Sequence, residues 1–189
     1  MIFKSYILEN NIKETRNYKI LLFYGENQGL KKEFKDNLKK LNEKKELINL
    51  TQNDILKNKN LLINEVSNKS LFNEEKVIFI NDVNDKILEV LDEIQSYVKD
   101  EKIVLFADIL EKKSKLRTYF EKSKNLGIIP CYQDNIISIK KIITSKLNTF
   151  KGINNEIINF IIETTGLDRD KVNNEIDKIK ICFNNKEIN

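Results

Sequence analysis

The sequence predicts an α/β fold, a parallel five-stranded sheet flanked by helices, followed by a small all-helical domain. Three observations carry this expectation. Apolar runs recur at intervals of roughly 25 to 30 residues with helix-patterned segments between them, the spacing of repeated right-handed βαβ units. The runs are continuous rather than alternating, as in strands covered on both faces. From Asn135 onward the strand pattern stops and only helical patterns follow.

The five strands are read in residues 18–24, 46–50, 77–80, 102–107 and 127–132. The first stops at Gly25, as a buried strand does at a turn. The last contains Pro130, which lacks an N–H and therefore belongs at a sheet edge or strand end. Between the first two, Leu30, Phe34, Leu38 and Leu41 mark one face of a helix. Two helical pieces follow the second strand, the later one carrying Leu62 and Val66 and ending near Ser70. Residues 84–98 form the clearest amphipathic helix, with Ile87, Leu88, Leu91, Ile94 and Val98 on one stripe. Residues 113–124 make another, with Leu116, Tyr119 and Phe120. The helical domain has three stretches, residues 136–147, 155–165 and 168–183, with Gly166 suited to a helix C-terminus and Asp168 to the next N-cap. The expected division is residues 1–134 for the α/β domain and 135–189 for the helical one.

Composition narrows the chemistry. The 33 Lys and Arg against 29 Asp and Glu leave a net charge of +4, which does not by itself mark a nucleic-acid binder. There is no histidine, and Cys131 and Cys182 lack metal-ligand spacing, so the common zinc sites and His-based triads are excluded. No apolar run approaches the ~20 residues of a membrane span, and the expectation is a reduced, cytoplasmic protein without membrane contact.

Gly25 and Gly29 lie between a strand and a helix, the layout of a phosphate-binding loop. The residues fail the nucleotide-binding version. It needs four residues between the glycines and then Lys with Ser or Thr, whereas Gly29 is followed by Leu30, Lys31 and Lys32. The strand at 77–80 ends in Asn81-Asp82, without the acidic pair that holds magnesium and activates water. Gly25, Gly29 and Lys31 are therefore read as a degenerate loop not expected to bind nucleotide, with Lys31 and Lys32 on a solvated helix face and no cofactor.

Ser70, Leu71 and Phe72 precede the 77–80 strand. A Leu-Phe pair at such a junction either caps the core or faces outward as a contact for a partner.

Taken together these residues resemble the delta subunit of the bacterial DNA polymerase III clamp loader. The resemblance rests on Leu-Leu-Phe-Tyr-Gly-Glu-Asn at residues 21–27 and on Ser70-Leu71-Phe72 ahead of a strand. It rests also on Ile103-Val104-Leu105-Phe106-Ala107-Asp108 followed by Lys112-Lys113-Ser114-Lys115-Leu116, and on Gly166-Leu167-Asp168 leading to residues 173–179. It implies an AAA+-like α/β domain, a lid-like helical domain and a nucleotide loop without activity. It implies that Leu71 and Phe72, with Ser70 beside them, insert into a pocket on the sliding clamp. The family also has a third, helical collar domain that holds the loader pentamer together, and the expectation is that this chain lacks it.

The function so implied is binding and opening of the sliding clamp (beta) for loading onto primed DNA during DNA replication. No intrinsic catalysis is expected, although the assembly served is a polymerase holoenzyme. The implied partners are the clamp, the ATPase subunits (gamma/tau), delta prime, and primed DNA within the complex. Two alternatives stand beside this: an active AAA+ ATPase, which would bind nucleotide with magnesium, and a DNA-binding replication accessory protein, which would carry a basic stripe.

Overall fold

The computed structural model describes residues 1–67 and 75–183. The chain divides into two compact units, Met1–Glu26 with Lys31–Cys131 and Asn27–Leu30 with Tyr132–Asn189. The first has the expected α/β fold. Its strands are β1 (Ile20–Tyr24), β2 (Glu46–Thr51), β3 (Lys76–Val83), β4 (Lys102–Ala107) and β5 (Leu126–Pro130). They form one sheet in the order β2-β3-β4-β1-β5, and each neighbouring pair is parallel.

Continuous apolar runs gave continuous burial. Every residue of β1 and β4 is buried, because both strands lie inside the sheet with helices packed over it. The edge strand β2 is exposed or half-buried along its whole length, as an edge with one open side must be. Pro130 closes β5, the opposite edge, where its missing N–H costs no ladder bond. The outer side of β5 is covered by the chain's first residues: Phe3 N donates to the Ile128 carbonyl at 2.9 Å and Ile128 N donates to the Met1 carbonyl at 3.0 Å.

Helix α1 (Ser5–Asn10) and a 3-10 turn (Ile12–Asn17) precede β1. Helix α2 (Gln28–Leu41) lays Phe34 and Leu38 over the sheet, and Phe34 meets Phe23 with ring centroids 5.1 Å apart. Phe23 in turn stacks on Phe106 at 5.4 Å. Helices α3 (Gln52–Lys57) and α4 (Asn60–Ser67) link β2 to β3, and Ile55, Leu62 and Val66 enter the main core. Helix α5 (Leu88–Ile94) adds Val90, Leu91 and Ile94 to the core, and α6 (Lys115–Lys122) adds Leu116 and Phe120.

Two elements differ from expectation for local reasons. β3 extends to Val83 because Asp82 adopts φ 58°, a left-handed bulge that lets Val83 rejoin β4 opposite Ala107. The helix expected over residues 84–98 is shorter, a 3-10 turn at Asp85–Ile87 followed by α5. Asp85 serves another helix. Its carboxylate accepts from Ser114 Oγ (2.7 Å), Lys115 N (3.1 Å) and Leu116 N (2.9 Å), which caps α6 and holds the Asp85 carboxyl below its usual range.

The second unit contains α7 (Ile136–Lys146), α8 (Asn155–Thr165) and α9 (Arg169–Cys182). Asn135 caps α7 and Asp168 caps α9 through the Lys171 N–H (3.1 Å). The core is Ile139, Ile143, Leu147, Ile158, Ile161, Val172 and Ile176. No helix among the described residues is long and apolar enough to cross a membrane.

Candidate functional site

In a parallel sheet, ligands enter at the carboxyl ends of the strands, and the loop after β1 is the first place to look. Of that loop, Gly25 and Lys31 belong to the first unit and Asn27–Leu30 to the second.

In the first unit Gly25 has φ 132°, and a Cβ there would stand 2.2 Å from the Cys131 carbonyl oxygen. Only glycine fits, and the reason is the close approach of the chain beyond β5. The Gly25 N–H donates to the Asp108 carbonyl at 3.1 Å. Lys31 is buried rather than solvated, a correction to the sequence reading. Its ammonium donates to the Ala107 carbonyl at 2.8 Å and to Asp108 Oδ1 at 3.2 Å, so it is tied to the end of β4. Lys32 is exposed, as expected. Asn81, at the other candidate strand end, accepts from Lys35 Nζ (3.0 Å) and donates to the Leu50 carbonyl (3.2 Å). The Lys35 amine lies over Phe79 and Phe106 at 5.5 and 5.6 Å, and burial lowers its pKa.

In the second unit the first turn of α2 meets the N-terminus of α9. A Cβ on Gly29 would stand 2.9 Å from Arg169 Cβ and 3.0 Å from the Asp170 nitrogen, so protein fills the space over this glycine. Leu30 N donates to Asn27 Oδ1 at 2.9 Å, and an asparagine thereby takes one of the helix-terminal donors that an anion would use. Asn27 Nδ2 donates to Asp134 Oδ2 (2.8 Å) and to the Tyr132 carbonyl (3.1 Å). Asp134 also receives Ser138 Oγ (2.8 Å) and a two-pronged contact from Arg169, Nε to Oδ2 and Nη2 to Oδ1, both 2.7 Å. The Arg169 and Asp134 side chains are 2% and 5% exposed. Burial alone would raise the Asp134 pKa. The hydrogen bonds and charge of Arg169, with Asn27 and Ser138, outweigh it and hold the carboxyl below its usual range.

Both glycines thus have packing reasons for being glycine, and the lysine is spent on the protein's own backbone. The Asn27–Asp134–Arg169 network was not read from the sequence. Its members lie 107 and 35 positions apart, and no local pattern links them. Ser70, Leu71 and Phe72 lie outside the described residues. Among the described residues no group of three or more Cys, Asp and Glu could hold a metal ion.

No protein-family model matches the chain, and no curated protein matches it. Among solved structures it is similar to the Bacillus subtilis DNA clamp loader delta protein (YqeN), with a TM-score of 0.65 and 15% identity over 97% of this chain. A further similarity, TM-score 0.45 at 15% identity over 82% of this chain and 56% of the other, is to a structure described as "Structural Basis for Katanin Self-Assembly". The chain spans 59% of the length of the clamp loader delta protein. Its fold is that of the delta protein.

Proposed function

We propose that this chain acts as a delta-type clamp-loader subunit, one that binds the sliding clamp and favours its open form without hydrolysing ATP itself. The observation that carries the reading is the fold shared with a DNA clamp loader delta protein along 97% of the chain. The filled phosphate loop supports its second half. Lys31 is engaged by Ala107 and Asp108, and Gly29 is covered by Arg169 and Asp170, so a nucleotide phosphate would have to displace protein contacts to enter.

Clamp opening needs no covalent chemistry. A subunit that binds the open ring more tightly than the closed one shifts the equilibrium by that difference in affinity. In this reading Leu71 and Phe72, beside Ser70, are the anchor, each worth roughly 1.5 to 3 kcal/mol on burial. ATPase subunits, delta prime and primed DNA complete the assembly. The test is clamp affinity by calorimetry for the native chain and for Leu71→Ala/Phe72→Ala. The variant is expected to bind at least about a hundredfold more weakly with unchanged circular dichroism. Equal affinity would overturn the assignment of the pair. Micromolar binding of labelled ATP to the native chain would overturn the claim of an inactive loop.

A further inference from the structure

The two edges of the sheet are finished differently. The β5 edge is covered by the chain's first residues, whereas β2 has no neighbouring strand on its outer side among the described residues. Its ladder to β3 runs from Glu46 to Thr51 without a bulge. The strand holds neither lysine nor proline, the residues that usually blunt an edge against pairing.

The main chain of β2 shows which groups are open. Glu46 N donates to the Glu75 carbonyl at 3.1 Å, and Asn81 Nδ2 reaches the Leu50 carbonyl at 3.2 Å. In a parallel ladder the residues that bond a neighbour alternate with residues that turn both N–H and C=O away from it. Glu46, Ile48 and Leu50 therefore face β3, and Leu47 and Asn49 face outward. The outward N–H groups on either side are already engaged: Lys45 N donates to the Asn42 carbonyl (2.9 Å) and Thr51 N to Asp54 Oδ2 (3.1 Å). Leu47 and Asn49 are left without a main-chain partner among the described residues. Leu47 is also 36% exposed, and Ile48 and Leu50, on the other face, are only half-buried against the core.

We propose that a second copy of this chain pairs with this edge, β2 against β2 and antiparallel, about a twofold axis at Ile48. The inference is independent of the clamp reading. A twofold axis perpendicular to the sheet makes the two strands antiparallel, and the free groups then choose the register. Centring on Ile48 sets Leu47 of each copy opposite Asn49 of the other, so that every open N–H and C=O of these two residues is bonded. Centring on Asn49 would need the Thr51 N–H, and centring on Leu47 the Lys45 N–H, both already engaged within the chain. The side chains agree with this choice. Ile48 meets Ile48 of the second copy as a close pair, and Leu47 lies diagonal to Leu47 of the second copy. Lys45 and Glu46 face Thr51 and Leu50 rather than another charge. Each copy has one open edge, so the pairing closes at two copies.

The experiment is sedimentation equilibrium of the full chain from about 5 to 200 µM, where a monomer–dimer equilibrium is expected. Leu47→Lys sets like charges diagonally across the axis, and Asn49→Pro removes an N–H that makes no bond within the chain. Each is expected to raise the dimer Kd at least about tenfold, with unchanged circular dichroism. Oxidative cross-linking in a Cys182→Ser background reads the register. Ile48→Cys, directly opposite its own mate, is expected to give a disulfide-linked dimer. Glu46→Cys, roughly 14 Å from its mate along the strand, is expected to give none. A native chain that stays monomeric throughout the range overturns the proposal, as does association that continues past the dimer. A dimer that both Leu47→Lys and Asn49→Pro leave unchanged overturns it as well, since the contact then lies on another surface. Cross-linking through Glu46→Cys and not through Ile48→Cys overturns the register and with it the pairing of the open groups.

Discussion

Lys31 and Lys102 are both buried and both attached to β4, one at its carboxyl end and one at its amino end. Lys31 meets a carbonyl and a carboxylate. Lys102 meets a carbonyl and the repulsion of Lys45 and Arg16. At the carboxyl end of β4 the buried amine is therefore met by a carboxylate as well as a carbonyl, and at the amino end by a carbonyl alone. A buried cation costs several kcal/mol in desolvation unless an opposite charge compensates it, so the difference between the two ends is measurable as stability.

The largest effect is expected where a buried cation is most completely paired. Arg169 is that case in the second unit, with its two-pronged contact to Asp134. Arg169→Ala leaves a desolvated carboxylate and is expected to cost about 3 to 5 kcal/mol in the urea-induced unfolding of the helical unit. Asp134→Asn, which keeps the shape and removes the charge, tests the same pair from the other side. Because the Asp134 pKa is depressed in the folded state, the pair contributes fully above the unfolded carboxyl value of 3.8. That contribution is lost as pH falls through the lower folded value. A loss below about 0.5 kcal/mol for Arg169→Ala at neutral pH would mean the network adds nothing to the unit's stability.

Lys102 comes next, with the opposite sign. Its folded pKa of about 8 lies below the ordinary lysine value of 10.5, so between these values the unfolded chain holds a proton that the folded chain does not. Stability from this group therefore rises with pH across that window, by about 3 kcal/mol in all, and the penalty is fully present below pH 8. Other lysines and tyrosines titrate in the same range, so the informative quantity is the difference between the native chain and Lys102→Met. The variant is expected to be the more stable at pH 7 and to lose that advantage by pH 10.5. Parallel pH profiles would show that Lys102 carries no penalty.

These two residues also mark what could be read in the sequence. Strands β1 and β4 were legible because a strand buried on both faces must be apolar, as residues 20–24 and 103–107 are, whereas the edge strand β2 is exposed or half-buried and shows only a short, interrupted apolar run. The helical stretches at residues 136–147, 155–165 and 168–183 were legible because the strand pattern stops there, and they match α7, α8 and α9. Lys31 was misread as solvated because its partner, the Ala107 carbonyl, lies 76 positions away on another strand. Asp85 was placed inside a helix because its role at the start of α6 depends on a contact across about 30 positions. The departure of the loop from the nucleotide-binding pattern lies in its residue types, but the contacts its residues make could not be read there: Asn27, Asp134 and Arg169 meet only after folding. Apolar periodicity reports burial, and it carries no record of which polar groups burial brings together.

The smallest effect belongs to Lys31, and it separates charge from hydrogen bonding at the closed end of the sheet. The Asp108 side chain is 79% exposed, so its attraction for the Lys31 ammonium is screened by water and worth little. The Ala107 carbonyl belongs to a buried residue. Lys31→Met keeps the length and apolar stem of the side chain while removing the donor to that carbonyl, and is expected to cost about 1 to 2 kcal/mol. Asp108→Ala is expected to cost no more than about 0.5 kcal/mol. Equal losses in the two variants would mean that the ion pair, rather than the carbonyl contact, holds Lys31 down. The amine would then be free to leave β4 whenever a stronger anion reached it, and the closed end of the sheet would regain the chemistry that its residue types argue against.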